Sequence, residues 1–194
     1  MKTTIKTGIA TLMLLSVISC TKETVSSPSA ASQASDNSDA VATFTIGQSY
    51  HGGIIFYIDS SGQHGLIAAT SDQGTGIAWK KGVNTVTGAT ATAVGKGMAN
   101  TNKIVAALGT TGSYAALLCY NYSVGSFKNW YLPSKDELNL MYQQSAVIGG
   151  LSGGNYWSSS EAAKGTAWDQ EFGGGFQFKD SKSFTLNVRA IESF

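Results

Sequence analysis

Two histidines and two nearby aspartates have side chains that could bind a transition metal. His51 and His64 are the only imidazoles in the sequence, with Asp59 and Asp72 close by in the chain. On the adjoining strands of a hairpin, two imidazoles could approach each other, and with one carboxylate they would form a transition-metal ligand set. The spacing does not fix that geometry. We therefore expect structural or hydrogen-bonding roles for both histidines, and we predict no metal and no cofactor.

The possible nucleophiles lack the partners that catalysis needs. Cys119 lies in the apolar segment YAALLCY (residues 114–120), which predicts a buried helix and a thiol that acts as a small hydrophobic group. Ser158 and its two serine neighbours have no strained glycine-serine-glycine turn, and no histidine follows His64. We therefore predict that the protein is not an enzyme.

A further pattern consists of aromatic residues beside amides and carboxylates, a combination that suits the binding of sugars. Most aromatic side chains are expected in the core, because a domain of this size needs large apolar groups. Those that could line a surface groove lie near polar residues of two C-terminal strands. The candidate ligand-binding residues are Trp157, Trp168, Asp169, Gln170 and Asn155.

Arg189 is the remaining charged candidate. It alternates with Val188 and Ala190 in a predicted closing strand. It could bind an anionic ligand or form an ion pair with Glu137 or Glu161. We predict the ion pair.

A strong local signal for the fold is WYLPSKDEL (residues 130–138). Trp130 supplies a large apolar group, and Pro133 ends the extended segment that precedes it. Ser134 then occupies a helix N-cap position with Glu137 three residues later, which is the pattern of a capping box. The segment predicts a strand end, a sharp turn and a docked helix.

The other segments complete an α+β pattern: an N-terminal β-hairpin, two or three helices and a C-terminal antiparallel β-meander. Residues 71–97 are expected to form a long surface loop, with a short strand around residues 77–79. The predicted hairpin strands are 50–59 and 66–69, the further helices are 100–108 and 113–120, and the later strands are 156–160, 167–172, 176–178 and 184–191.

The N-terminus has the features of a signal peptide that directs export. Lys2 and Lys6 precede an apolar run over residues 8–18, about half the length of a spanning helix, and the small residue Ser19 then precedes Cys20. This pattern resembles the lipobox of bacterial lipoproteins; an ordinary secretory signal peptide is the alternative. We expect a signal peptide over 1–19, a lipidated Cys20 with a flexible tether over 20–43, and a single domain over 44–194. The expected location is the cell envelope, anchored by lipid to the membrane, with the outer membrane favoured and its periplasmic and surface faces both open.

The charge balance excludes one class of partner. Removing residues 1–19 with Lys2 and Lys6 leaves 11 of the 13 lysines and arginines against 12 acids. Without a basic excess, we predict no nucleic-acid partner. The oligomeric state is left open.

Several motifs together carry a family resemblance, in order over residues 46–194: YHGGIIFY, HGLIAA, WYLPSKDEL, YWSSSE and VRAI. The sequence resembles the family called domain of unknown function 1566, also named after the C-terminal domain of the collagen-like bacterial adhesin Lcl. The resemblance implies a C-type-lectin-like core, surface location, and non-catalytic adhesion or glycan binding. The alternative is a structural or protein-interaction module of an outer-membrane assembly.

A calcium-dependent sugar site is not expected. The segment WDQE (residues 168–171) resembles the tryptophan-asparagine-aspartate strand of calcium-dependent lectins. However, the turn around Pro133 lacks the flanking acid and amide of those proteins.

Overall fold

A computed structural model describes residues 43–194 of the chain. The described residues belong to one compact unit. The predicted signal peptide, Cys20 and most of the predicted tether lie outside the described residues, so those predictions are not addressed by the structure.

The described residues form nine strands and four helices, and the α+β prediction is confirmed. The strands are β1 (Ser49–Tyr50), β2 (Gly53–Ile58), β3 (Gly65–Ala69), β4 (Gly74–Ala78), β5 (Asn155–Ala163), β6 (Thr166–Glu171), β7 (Gln177–Ser181), β8 (Thr185–Val188) and β9 (Ile191–Ser193). The helices are α1 (Gly97–Leu108), α2 (Ala115–Tyr120), α3 (Lys135–Gln143) and α4 (Ser145–Ile148).

The first sheet has the strand order β1-β2-β3-β9, with every neighbouring pair antiparallel. The predicted N-terminal hairpin is β2 and β3. Its turn is stabilised by Asp59, whose carboxylate accepts hydrogen bonds from the backbone N–H and hydroxyl of Ser61. The last strand of the chain, β9, pairs with β3, so both ends of the domain meet in this sheet.

The second sheet has the order β4-β8-β5-β6-β7. Strands β5, β6 and β7 form an antiparallel meander as predicted, but the last predicted strand does not continue it, because β8 pairs with β5 in parallel. The closing strand predicted over 184–191 is divided between the two sheets. Val188 in β8 pairs with Gly74, whereas Ile191 in β9 pairs with Ala68 of the first sheet. The chain around Arg189 therefore links the two sheets.

Two of the helix boundaries differ from the sequence prediction. The helix predicted from residue 113 begins at Ala115. The helix predicted from residue 100 begins at Gly97, so Asn100 and Thr101 lie buried inside α1. Their polar groups are satisfied by neighbouring segments: Asn100 Nδ2 donates to the carbonyl of Ala91, and Thr101 Oγ1 accepts from the N–H of Leu132. The single turn α4 brings the described helices to four, whereas the sequence predicted two or three.

The capping box at α3 is confirmed. Ser134 Oγ accepts a hydrogen bond from Glu137 N at 3.3 Å, and Glu137 Oε2 accepts one from Ser134 N at 2.7 Å. Both residues are completely buried. Glu137 also accepts a bond from the N–H of Gly95, so this motif fixes the end of the long loop that precedes α1.

Two hydrophobic clusters fill the domain. The larger contains three buried tryptophans, Trp79, Trp130 and Trp157. The smaller surrounds Tyr131 and Tyr156 and packs on α3. No helix within residues 43–194 is long and apolar enough to cross a membrane.

Candidate functional site

Two of the five predicted ligand-binding residues are completely buried. Trp157 is a core residue whose indole N–H donates to the carbonyl of Ile77 at 2.8 Å. Gln170 Nε2 donates to Asn139 Oδ1 at 2.9 Å and to the carbonyl of Gly175 at 3.1 Å. Neither side chain has free surface or an unused donor, so we correct their assignment from ligand contacts to the interior.

Asp169 and Asn155 form a hydrogen-bonded pair. Asn155 Nδ2 donates to Asp169 Oδ2 at 2.7 Å, whereas Asp169 Oδ1 is buried without a hydrogen-bond partner. Burial raises the pKa of the Asp169 carboxyl to about 6; repulsion from Asp180 also raises it, and the bond from Asn155 opposes the rise. This pair is held inside the sheet and exposes little to a ligand.

Trp168 is separated from that pair by the alternation of β6. Asp169 and Trp168 are adjacent in the strand, so their side chains leave opposite faces of the sheet. Trp168 is half-buried, with the ammonium groups of Lys135 and Lys179 each 4.8 Å from its ring centre. The five predicted residues therefore do not share one surface.

The residues considered as metal ligands are also apart. His51 has a positive φ of 48° and stacks between the rings of Tyr50 and Phe127, at centroid distances of 4.0 and 3.9 Å. Its Nδ1 lies 3.7 Å from Glu192 Oε2, while His64 is exposed. Within residues 43–194 no three His, Cys, Asp or Glu side chains come together in a way that would hold a metal ion.

Arg189 forms an ion pair, as predicted, but with a different partner. Its Nε lies 2.6 Å from Asp72 Oδ1, and its two terminal nitrogens donate to the carbonyls of Ala69 and Gly150. The prediction of Glu137 or Glu161 as partner was wrong. Glu137 is part of the capping box, and Glu161 binds Lys182.

A groove beside α1 brings together polar and aromatic groups that the sequence analysis did not connect. Two adjoining cavities of about 340 and 530 Å³ share Asn102 and Tyr120, so we treat them as one groove. Its lining residues are Met98, Asn102, Val105, Ala106, Gly109, Thr110, Tyr120, Lys128, Asn129 and Trp130.

The indole of Trp130 lines this groove and has an unused donor. Trp130 is 1% exposed, and its Nε1 is buried without a hydrogen-bond partner among the described residues. A buried donor left unsatisfied costs about 1–3 kcal/mol. An acceptor atom that reaches this nitrogen would recover that free energy.

The groove is neutral apart from one cation. Tyr120 is 45% exposed, and the side chains of Asn102 and Asn129 are exposed beside it. Lys128 is the charged member of the lining, and among these described lining residues there is no carboxylate, imidazole or thiol. The surface therefore combines an aromatic ring with amide donors and acceptors.

Packing of α1 fixes the groove wall. Met98, Asn102, Val105 and Ala106 follow helical spacing and share one side of α1. The other side is buried, and Thr101 Oγ1 accepts from the backbone N–H of Leu132, two residues after Trp130. That bond ties the helix to the segment that carries the indole.

Sequence reasoning missed this groove because its residues come from three separate segments. The signal available was weak: an exposed amide at Asn102 on a helix of small and apolar residues, and an asparagine directly before Trp130. Only the folded arrangement of α1 and α2 with residues 128–130 places these groups side by side.

A family model of the Lcl C-terminal domain matches residues 68–192, which is more than half of the chain. The chain belongs to the Lcl C-terminal domain family. This family is one of surface-associated domains and indicates a bacterial surface protein. All the residues that line the groove lie within the matched region. No curated protein matches the chain.

Proposed function

We propose that this Lcl-family domain binds glycans without catalysis and that the groove beside α1 holds the sugar. One observation carries the proposal: a solvent-open groove lined by Tyr120 and two asparagines also includes Trp130, whose indole N–H is buried without an acceptor among the described residues. Ligand sites typically combine apolar walls with a few placed polar groups. The groove has that composition.

The lining groups match the chemistry of a pyranose. A sugar hydroxyl or ring oxygen would accept from Trp130 Nε1. The amides of Asn102 and Asn129 each donate and accept, which suits the paired donor and acceptor character of neighbouring hydroxyls. The exposed ring of Tyr120 offers an apolar face for the C–H side of a sugar and a hydroxyl at its edge.

The residues that line the groove also support binding without catalysis. Acid–base catalysis needs a group that exchanges protons near the working pH. Of the described residues around the groove, Lys128 and Tyr120 are the titratable ones. Cys119 lies in the core, where burial raises the pKa of its thiol, which disfavours the reactive thiolate.

We further propose that the domain is displayed as a lipoprotein, anchored through acylation of Cys20. The lipobox-like segment before Cys20 supports this, as does the surface association of the family. Metabolic labelling with a palmitate analogue tests it. Label that is incorporated by the full chain and lost in Cys20→Ala supports the anchor, and label that persists in Cys20→Ala contradicts it.

A glycan array tests sugar binding. The array is probed with residues 40–194, once with calcium and once with a chelator. We expect saturable binding in both conditions. Trp130→Phe keeps the apolar bulk but removes the donor, so affinity should fall on the order of tenfold. Tyr120→Ala should weaken binding by a similar factor. Thermal unfolding of each variant shows whether the fold is retained.

Trp168→Phe is the matched control, because it changes a tryptophan on another surface of the domain. Its binding should equal that of the wild type. Loss of affinity in Trp168→Phe but not in Trp130→Phe would move the site to the two lysines around Trp168. Absence of binding to every glycan would overturn the proposal.

A protein-interaction module is the second candidate, favoured by a different surface. Strand β7 is an edge of the second sheet, and near it Phe176 and Phe178 are 66% and 44% exposed. An exposed edge with apolar side chains is suited to pairing with another chain. Negative glycan arrays together with binding to a purified surface protein, lost in Phe178→Ser, would favour this function.

A further inference from the structure

Three exposed apolar side chains lie in two loops that hydrogen bonds hold together, and none of the three lines the groove. Val83 is 80% exposed, Val86 63% and Phe184 53%. We call these three residues the apolar tip. The first two lie in the loop after Trp79, and Phe184 lies in the turn between β7 and β8.

Hydrogen bonds to two buried charged residues bring these segments together. Lys182 Nζ donates to the carbonyl of Thr85 at 3.0 Å and to Glu161 Oε1 at 2.5 Å. Glu161 also accepts the backbone N–H groups of Thr87 and Gly88 at 2.9–3.0 Å. Val86 is therefore held between anchored neighbours, and Phe184 follows Lys182 by two residues.

The anchored segments leave the apolar tip in solvent. The Lys182–Glu161 pair is buried, and so is the ring of Trp79, whose centre lies 4.5 Å from Lys182 Nζ. An exposed cluster of apolar side chains on a fixed scaffold marks an interaction surface.

The charges around the tip are positive. The segments 80–88, 163–166 and 181–185 contain lysines and no acid. Lys81 Nζ donates to Thr111 Oγ1 and Lys164 is exposed in the β5–β6 turn; within the described residues neither forms an ion pair. Two acids adjoin these segments in the sequence: Glu161 is paired with Lys182, and the charge of Asp180 acts on Asp169.

We propose that this part of the domain docks on a bilayer that contains anionic phospholipid. The apolar tip would enter the interfacial region, and Lys81 and Lys164 would lie at the level of the phosphates. Apolar side chains flanked by lysines are the combination that gives interfacial binding to anionic membranes. This docking uses residues of the folded domain and does not depend on the predicted lipid at Cys20 or on the sugar site.

Vesicle co-sedimentation of residues 40–194 tests the proposal. This fragment is the compact unit that contains both described cores, and it lacks Cys20. We expect binding to vesicles of phosphatidylcholine with phosphatidylglycerol and much weaker binding to phosphatidylcholine alone. Raising the salt concentration should release the protein, since each lysine near the surface contributes about a fivefold change in affinity.

Two variants separate the apolar and electrostatic parts. Val83→Ser/Val86→Ser/Phe184→Ser should reduce binding on the order of tenfold or more. Lys81→Gln/Lys164→Gln should reduce binding to anionic vesicles and flatten the salt dependence. All five side chains are exposed, so both variants should keep the thermal unfolding profile of the wild type.

Ile46→Ser/Val147→Ser is the matched control, because both residues are 42% exposed and lie elsewhere on the domain. It should bind vesicles like the wild type. Equal loss in this control, or no binding of the wild type to anionic vesicles, overturns the proposal. Equal binding to both vesicle types, unchanged by salt, would refute the role of the lysines. If the apolar tip instead captures a purified surface protein while vesicles stay unbound, the partner is protein and not lipid.

Discussion

The ammonium group of Lys182 lies 2.5 Å from a carboxylate oxygen of Glu161, and the two side chains are only 1% and 2% exposed. Burial alone would raise the pKa of the Glu161 carboxyl. The bonds from Lys182 and from the backbone N–H groups of Thr87 and Gly88 outweigh burial and hold it below its usual range. This buried ion pair fixes residues 85–88 of the long loop to β5.

Replacing Lys182 with methionine should destabilise the domain strongly. Lys182→Met leaves the Glu161 carboxylate buried without its counter-charge, and breaking such a pair typically costs about 3–5 kcal/mol. Because the folded pKa of Glu161 is lowered, its stabilising effect in the wild type is present above the usual carboxyl pKa of about 4.5 and is lost as the pH falls below it. Urea unfolding of wild type and variant at pH 7 measures the cost.

The double variant Lys182→Met/Glu161→Gln provides the internal control. It removes both charges, so it should be more stable than Lys182→Met alone. Asp136→Asn removes one partner of the exposed pair with Lys135 and should cost less than about 1 kcal/mol. A cost below about 1 kcal/mol for Lys182→Met would show that the buried pair does not stabilise the loop.

Local motifs were predictable from the sequence, and long-range partners were not. The capping box was predicted because Ser134 and Glu137 are three residues apart and interact within one helical turn. The sequence predicted correctly that Arg189 forms an ion pair, but it predicted the wrong acidic partner. Its true partner, Asp72, is 117 residues away, and only the pairing of β8 with β4 brings that region close.

Exchange of Arg189 for lysine should therefore not be conservative. The guanidinium binds Asp72, the carbonyl of Ala69 and the carbonyl of Gly150 from one fully buried position. A lysine has one nitrogen and cannot reach three acceptors in those directions. We expect Arg189→Lys to lower the free energy of unfolding by about 2–4 kcal/mol, measured by urea unfolding.

Lys179→Arg serves as the comparison for that exchange, since it makes the reverse change at an exposed position and should alter stability by less than about 0.5 kcal/mol. If Arg189→Lys also changes the free energy of unfolding by less than about 0.5 kcal/mol, the three hydrogen bonds of Arg189 do not stabilise the segment that links the two sheets.

The candidate site could not be predicted from the sequence pattern, because the pattern does not show which elements pack together. Trp168 and Gln170 lie on one side of β6, as strand alternation requires, and α3 packs on that side through Asn139 and Lys135. Alternation gives the face of a residue but not what packs on it. The groove depends on such packing, because Trp130 and Tyr120 meet only through the docking of α1 and α2.

Asp169 should make the stability of the domain depend on pH between about 4 and 6. Its folded pKa is raised to about 6 from an ordinary value of 3.8, so in this interval the folded state holds a proton that the unfolded state has released. Stability therefore falls as the pH rises through the interval and stays lower above it. Asp169→Asn removes this titration and keeps an oxygen that accepts from Asn155. At pH 8 it should be more stable than the wild type by about 1–3 kcal/mol.

Measuring urea unfolding of both proteins at intervals from pH 4 to pH 8 isolates the effect, because the other buried carboxyls are common to both. The difference between them should grow with pH and level off above about 6. Asp180→Asn removes the repulsion that helps to raise the folded pKa of Asp169, so it should lower the upper end of the interval and reduce the total change in stability. A difference between Asp169→Asn and wild type that stays constant with pH would mean that the Asp169 carboxyl titrates alike in the folded and unfolded chain, and that the buried Oδ1 is solvated in solution.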